Sequence, residues 1–318
     1  MDMQTAIAMA KGVATYIPVL NRLSGRHTGG TVSARYCYSV WLRHLTLAHS
    51  HGLQAPPMVV AELGPGDSLG TGLAALLCGA ERLYAFDVVA YADLRRNLAI
   101  LDELVGLFLA REPIPGDREF PDVNPKLISY QFPQDLLPES RLMSTLETAR
   151  VEAIRCALQN RGATDDRIEI KYFVPWTSAQ LIEPGTVDLV YSQAVLEHVT
   201  NLDETYDALW RWLKPGGLMS HQIDFRSHGL AREWNGHWGH SDRVWRVIKG
   251  RKPYLLNRQA HAAHLAKLQE HGFTMVFDQP VASEGGIPRA RLTSRFRHYT
   301  DDDLRTSGAL LQSRKPSA

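Results

Sequence analysis

Two carboxylates border a glycine turn in the stretch AELGPGDSLG: Glu62 precedes Gly64, Pro65 and Gly66, and Asp67 and Ser68 follow them. A second polar group lies in MSHQIDFRSHGLAREWNGHWGH, where His221, Asp224 and His228 fall close together and Trp234 and Trp238 follow. A third, SQAVLEHV, sets Ser192, Gln193 and His198 just past an apolar run. An aspartate that orients a histidine raises its basicity, so the second group could take a proton from an acceptor. His228 is the leading base and His221 the second, with Asp224 orienting. His198 is either a further candidate or a helix-start histidine bonded to backbone. The two tryptophans add flat apolar faces that suit a sugar-like ring, or any other ring. The histidine spacing in this stretch matches no zinc pattern.

The glycine turn bears on the ligand class. Gly64 and Gly66 remove side chains so that a ligand can approach the backbone. Dinucleotide binding asks for G-x-G-x-x-G, but Leu69 stands where the third glycine belongs. No Gly-Lys-Ser/Thr follows to make a phosphate loop. A pyrophosphate would be repelled by Glu62 and Asp67 and would compete with Asp67 for the amides of the next helix start. A cationic ligand would not. S-adenosylmethionine carries a sulfonium, an ammonium, a carboxylate and a ribose diol, and no phosphate. Asp87, about 20 residues past the glycines and followed by Val88, ends the next apolar run, where an acid accepts ribose hydroxyls in nucleoside-binding sheets.

These residues need a scaffold that gathers them. From Met58 onward, short apolar strands alternate with amphipathic helices, the pattern of a parallel α/β sheet. Strands are expected near 58–63, 82–87, 167–173, 187–192, 217–223, 273–278 and 308–314. The helix LDETYDALWRWL places Leu202, Tyr206, Leu209 and Leu213 on one face and stops at Lys214-Pro215-Gly216-Gly217. Another helix is expected over 258–271 with Asn257 as its N-cap. Between Asp87 and Ile168 lie roughly 80 residues, where a crossover needs only one helix. Helical patterns near 91–111 and 139–161 flank the proline-rich PIPGDREFPDVNP, so residues 88–166 form a helical insertion, either a lid or surface padding. Residues 1–55 read as a helical leader or lid. In its first helix Ile7, Ala10, Ala14 and Ile17 recur at helical spacing as a docking face, with membrane-surface contact as the alternative. The turn HTGG and a helix over 31–49, with Thr31 or Ser33 as N-cap, complete the leader.

Taken in order and spacing, ELGPGDSLG, LYAFDV, VDLVYSQAVLEHV and WLKPGGLMSHQIDF resemble the motifs of class I S-adenosylmethionine-dependent methyltransferases. The resemblance implies an α/β, Rossmann-like, doubly wound, mostly parallel sheet of the seven-strand methyltransferase type, its last strand antiparallel. Residues 56–318 would be the methyltransferase domain and 224–256 its acceptor-side segment. Glu62, Gly64 and Gly66 would line the amino-acid end of the cofactor and Asp87 would hold its ribose. Pro65, Asp67, Ser68, Val88, Ser192 and Gln193 complete the expected cofactor contacts. Ser68 stands where the family often has a third glycine, and IEIKYFVPW lacks the acid that often holds the adenine amino group. Backbone near Val174, with Trp176 or Phe173 against the ring, is expected in its place; ordinary core packing is the alternative for Trp176. Ser192 and Gln193 occupy the region where metal-dependent O-methyltransferases of this fold carry an aspartate, so no catalytic metal is expected.

Composition narrows the function classes. Lys+Arg total 35 against Asp+Glu 34 in 318 residues, so no global basic field exists to attract nucleic acid. No apolar run approaches the ~18 residues of a membrane span. Asp2 stands where a signal peptide would be basic. Cys37, Cys78 and Cys156 lie far apart, which suggests a reducing, cytoplasmic setting and burial as small apolar side chains. Arg289, Arg291, Arg295 and Arg297 are a solvated run or an anchor for a phosphate or carboxylate on the acceptor. His261 and His264 read as a packed or solvated helix face. The expected activity is S-adenosylmethionine-dependent methyl transfer to a hydroxyl of a small-molecule or glycan-like acceptor. A nicotinamide-dependent oxidoreductase on the same kind of sheet, or a non-catalytic cofactor-binding module, stand beside it.

Overall fold

The apolar runs Val59–Leu63, Arg82–Phe86, Glu169–Phe173, Val187–Gln193, Leu213–Asp224, Thr274–Ala282 and Thr306–Arg314 form strands β1 to β7 of one sheet in the computed structural model. Their order is β3-β2-β1-β4-β5-β7-β6. β1 to β5 pair in parallel, and β7 runs antiparallel to both β5 and β6. This is a doubly wound, Rossmann-like sheet. The structure describes residues 2–17, 30–159, 168–176 and 178–317. Residues 27–29 of the HTGG turn, 160–161 of the expected second insertion helix and 167 of the expected third strand lie outside them.

All five residues of β1 are buried, as a strand covered on both faces requires. On one face pack α2 (Ala34–Ser50), α3 (Gly70–Leu77) and α4 (Leu94–Leu109), whose Trp41, Leu73, Leu104 and Phe108 share one core. On the other, α7 (Leu202–Trp212) contributes Tyr206, Leu209 and Trp212 to a second core that also takes in Trp238 and Phe296. β1 lies between β2 and β4, so the chain turns opposite ways from it and opens a crevice at the carboxyl ends of these strands.

The insertion holds α5 (Glu139–Thr145) and α6 (Thr148–Gln159), two helices where one continuous pattern was expected. Its proline-rich loop is tied to α2 through Arg43, which is fully buried and donates to the carbonyls of Pro115, Val123 and Pro125. α2 is therefore part of the core assembly. Cys37 and Cys78 are buried, but Cys156 is exposed on α6.

Three local expectations are corrected. α9 (His261–Glu270) starts after Ala260, because Arg258 sits at φ 64, outside helical geometry. Asn257 caps nothing there; its Nδ2 donates to the carbonyls of Leu196 and Val199 and braces the turn that carries His198. The helix before Pro-Gly-Gly ends as expected, but β5 begins at Leu213, ahead of the expected 217, so this stretch lies within the strand, with Gly216 at φ 79 and its amide bonded to the Lys315 carbonyl.

The third correction concerns α1 (Met3–Ala14). It docks on α8 (Asp242–Lys249) through Thr5, Ala8 and Gly12, while Ile7, Ala10 and Ile17 of the expected docking face are exposed. Gly12 decides the face. A Cβ there would lie 2.0 Å from the Val247 carbonyl oxygen, so only glycine permits this approach.

Candidate active site

A cavity of about 700 Å³ opens at the carboxyl ends of β1, β2 and β4. Glu62, Gly64, Pro65, Gly66, Asp87, Val88, Trp176, Gln193, His198 and His228 line it. Asp67, Ser68, Val174, Ser192, His221 and Asp224 do not. Gly64 and Gly66 adopt φ values of 63 and 72, the left-handed region that glycine enters without strain. A side chain at Gly64 would also strike Val195, 2.5 Å from the added Cβ.

The turn is closed from an unexpected direction. Thr31 does not cap α2, whose N-cap is Ser33. Its hydroxyl donates to the Pro65 carbonyl at 2.7 Å and accepts from the Ser68 amide at 2.9 Å. The amides that open α3 are taken by Asn97 and Ser68, with Asn97 Oδ1 accepting from Leu69 N and Ser68 Oγ from Gly70 N.

Glu62 is buried, and its Oε2 has no hydrogen-bond partner among the described residues. Burial, with a smaller contribution from Asp87, pushes its carboxyl up to about 8. The Tyr191 hydroxyl is near enough to temper that rise but lies outside hydrogen-bonding geometry. Glu62 thus favours its protonated form at neutral pH. Repulsion of a pyrophosphate therefore does not rest on Glu62, nor on Asp67, which is fully buried away from the cavity. It rests on the rest of the wall: the described lining residues include Asp87 and Glu204 and neither lysine nor arginine.

At the end of β2, Asp87 Oδ1 accepts from the amides of Val88 at 2.7 Å and Val89 at 3.4 Å. Burial raises its carboxyl, and the amides of Val88, Val89 and Gly66 oppose the rise. The Trp176 amide donates to the Asp87 carbonyl at 2.7 Å, and its indole packs against Phe86 and Trp212 while one side faces the cavity. A buried carboxyl oxygen without a donor, an acid at the next strand end and an arginine-free wall fit a cationic nucleoside such as S-adenosylmethionine.

Across the cavity, Asp224 Oδ2 lies 3.3 Å from His228 Nε2. Burial alone would raise the Asp224 carboxyl, but the nearby His228 and the hydrogen bonds from Arg226 hold it well below the usual carboxylate range. His228 sits at φ 49, a conformation that costs a non-glycine residue on the order of 1–3 kcal/mol and tends to mark functional sites. Its ring centroid is 5.3 Å from that of His198, which in turn meets Tyr254 edge-on at 5.5 Å. Burial, helped by the neighbouring His228, pushes His198 down to about 4. The hydroxyls of Tyr254 and Tyr91 are 2.9 Å apart and close this end of the cavity.

Several candidates are taken up by other contacts. His221 is sealed inside β5, bonded through Nδ1 to Ser192 Oγ at 2.8 Å, and burial pushes it down to about 3. Gln193 bridges the insertion and α2, donating to the Asn124 carbonyl and contacting His44 Nε2 through Oε1. Trp238 is fully buried against Phe296, and Trp234 packs on it, so neither offers a face to the cavity. The aromatic walls are Tyr36, Phe86, Tyr91, Trp176 and Tyr254. Arg289, Arg291 and Arg295 pair with Asp301, Glu233 and Asp242, and Arg297 donates to the Leu292 carbonyl. His264 is buried against Tyr206, and His261 contacts Asp278. Thr31, Tyr254 and Asn257 carry no motif that marks them, because each comes from a loop or turn far away in sequence, and Tyr91 lies in the loop just past the Asp87 motif.

Residues 149–220 match the model of a family described as a methyltransferase domain. Among solved structures, the chain is similar to an S-adenosylmethionine-dependent methyltransferase from Mesorhizobium loti, with 13% identity, a TM-score of 0.41, and 86% of this chain and 97% of that one covered. It is similar to one from Methanosarcina mazei, with 12% identity, a TM-score of 0.43, and coverage of 86% and 98%. A third is phosphoethanolamine N-methyltransferase 2 of Haemonchus contortus in complex with S-adenosyl-L-methionine, with 11% identity, a TM-score of 0.43, and coverage of 89% and 57%. No curated protein matches the chain by sequence.

Proposed function

We propose that this chain, a class I S-adenosylmethionine-dependent methyltransferase by its domain match, motifs and sheet order, methylates a hydroxyl of a small-molecule or glycan-like acceptor. When bound, the cofactor supplies an electrophilic methyl group on its sulfonium. Glu62 and the turn at Gly64 and Gly66 receive the amino-acid end, and Asp87 accepts from the ribose hydroxyls. Trp176 offers a face to the adenine. His228, held by Asp224, would take the proton from the acceptor hydroxyl as its oxygen bonds to the methyl carbon and the methyl–sulfur bond breaks, the electron pair leaving on sulfur to give S-adenosylhomocysteine, and Asp224 would stabilise the resulting imidazolium. Tyr91 and Tyr254 give the acceptor flat apolar surface with polar tips.

The observation that carries this proposal is the Asp224–His228 contact at 3.3 Å with the imidazole on the cavity wall. His198 shares that wall, but its depressed basicity and the absence of a carboxylate partner among the described residues make it the weaker base. His228→Ala is expected to lower kcat by roughly 10²- to 10⁴-fold. Its affinity for S-adenosylhomocysteine, read by calorimetry, should stay within about twofold of the parent. Full turnover in this variant with a hydroxyl acceptor would remove His228 as the base. Methyl-release assays across hydroxyl and amine acceptors test the acceptor class, and transfer to amines alone would overturn the choice of oxygen.

A further inference from the structure

α1 carries its amphipathicity inside out. The face packed on α8 is made of Thr5, Ala8 and Gly12, whereas Met3, Ile7 and Val13 are 76%, 46% and 54% exposed. Ala6 and Ala10 share that outer face, and Tyr16 and Ile17 extend it beyond the helix end. Lys11 is the one charged residue within the helix. Apolar side chains scattered singly are ordinary on a protein surface, but a row on one helix face is not.

α8 and the turn after it supply the second half of the surface. The sequence RVWRVIKGRK over 243–252 contains Arg243, Arg246, Lys249, Arg251 and Lys252 and no acid. Among the described residues, none of these five forms an ion pair; Asp242, the acid beside them, pairs with Arg258 and Arg295. The two halves are joined. The Arg251 guanidinium lies 4.9 Å from the Tyr16 ring centroid, and its amide donates to Thr15 Oγ1 at 2.8 Å. Val247, 36% exposed, continues the apolar strip onto α8.

We propose that this face docks on the surface of an anionic lipid bilayer, with the apolar strip of α1 entering the headgroup boundary and the cations of α8 meeting lipid phosphates. An interfacial helix has this combination of apolar face and flanking basic residues. Its 12 residues span about 18 Å, too short to cross a bilayer, and no described helix is long and apolar enough to do so. A second copy of the chain fits less well, because a two-fold contact would bring two sets of unpaired cations together. Pro253 and Tyr254, directly after the basic stretch, line the cavity, so docking brings its mouth toward the headgroups.

The test is co-flotation of the full chain with phosphatidylcholine vesicles, with and without phosphatidylglycerol, and needs no methyl acceptor. The chain is expected to float with the anionic vesicles only. Combining Arg246→Gln with Lys249→Gln should weaken partitioning by roughly 25-fold, about fivefold for each charge. Ile7→Glu or Met3→Glu, at exposed positions, should abolish flotation without shifting the thermal midpoint. Failure to float, equal partitioning into neutral vesicles, or indifference to the charge variants would overturn the proposal. So would a dimer seen by sedimentation in wild type and dispersed by Ile7→Glu, which would make this face a protein interface.

Discussion

Replacing Glu62 with glutamine isolates the electrostatics of the end of the cavity proposed to take the cofactor. Burial raises the Glu62 carboxyl from 4.5 to about 8, so the folded chain holds this proton where the unfolded chain has released it. For a raised acid, stability is greatest below the unfolded value and falls as pH rises through the window from 4.5 to 8. At about 1.4 kcal/mol per pH unit, Glu62 alone should remove roughly 3 kcal/mol between pH 4.5 and 7. Glutamine keeps the shape and cannot ionise. Urea unfolding of both proteins at several pH values should therefore show equal stability near pH 4.5 and a Glu62→Gln variant more stable at pH 7, with unchanged m-values.

The same proton should report on ligand binding. With its carboxyl near 8, Glu62 is about 90% protonated at pH 7 in the empty cavity, and an arriving cation favours its ionised form. Calorimetry of S-adenosylmethionine binding in two buffers of different ionisation enthalpy should detect release of close to one proton from wild type and none from Glu62→Gln. Affinity should fall about tenfold in the variant, a loss in the range of one charge-assisted hydrogen bond. Identical pH slopes for the two proteins, or unchanged affinity and proton release, would refute the placement of this carboxyl beside the cation.

At Asp87, alanine should weaken binding of S-adenosylhomocysteine by at least about tenfold in a thermal-shift titration, if two ribose hydroxyls lose their acceptor. Asp87→Asn, which keeps an oxygen for the Val88 amide, should lie between alanine and wild type. Arg43→Met would strip the carbonyls of Val123 and Pro125 of their buried donor and cost roughly 2–5 kcal/mol in chemical denaturation. Limited proteolysis should then cut first within 111–138; an unchanged cleavage pattern would show that the loop is held otherwise.

The strands were legible because a strand covered on both faces must be apolar throughout, and VVAEL, RLYAF and VDLVYSQ show nearly continuous runs. The turn at Gly64 and Gly66 was legible for a similarly local reason, since only glycine adopts its backbone without strain. Other residues misled. Trp234 and Trp238 looked like acceptor walls, yet core packing claims them, and spacing cannot distinguish an indole facing a cavity from one facing Phe296. Helical periodicity marked Ile7 as inward-facing, but a close backbone approach at Gly12 selected the opposite side.

By itself, the sequence determined the sheet, the glycine bend and the acids at the strand ends, because each follows from a backbone or periodicity rule acting over a few neighbouring residues. Tertiary structure decided which histidine meets a carboxylate at the cavity, that burial raises the Glu62 carboxyl there, and that Thr31, Tyr91 and Tyr254 complete the walls. Those outcomes depend on burial and on contacts between segments far apart in the chain, and no local pattern encodes either.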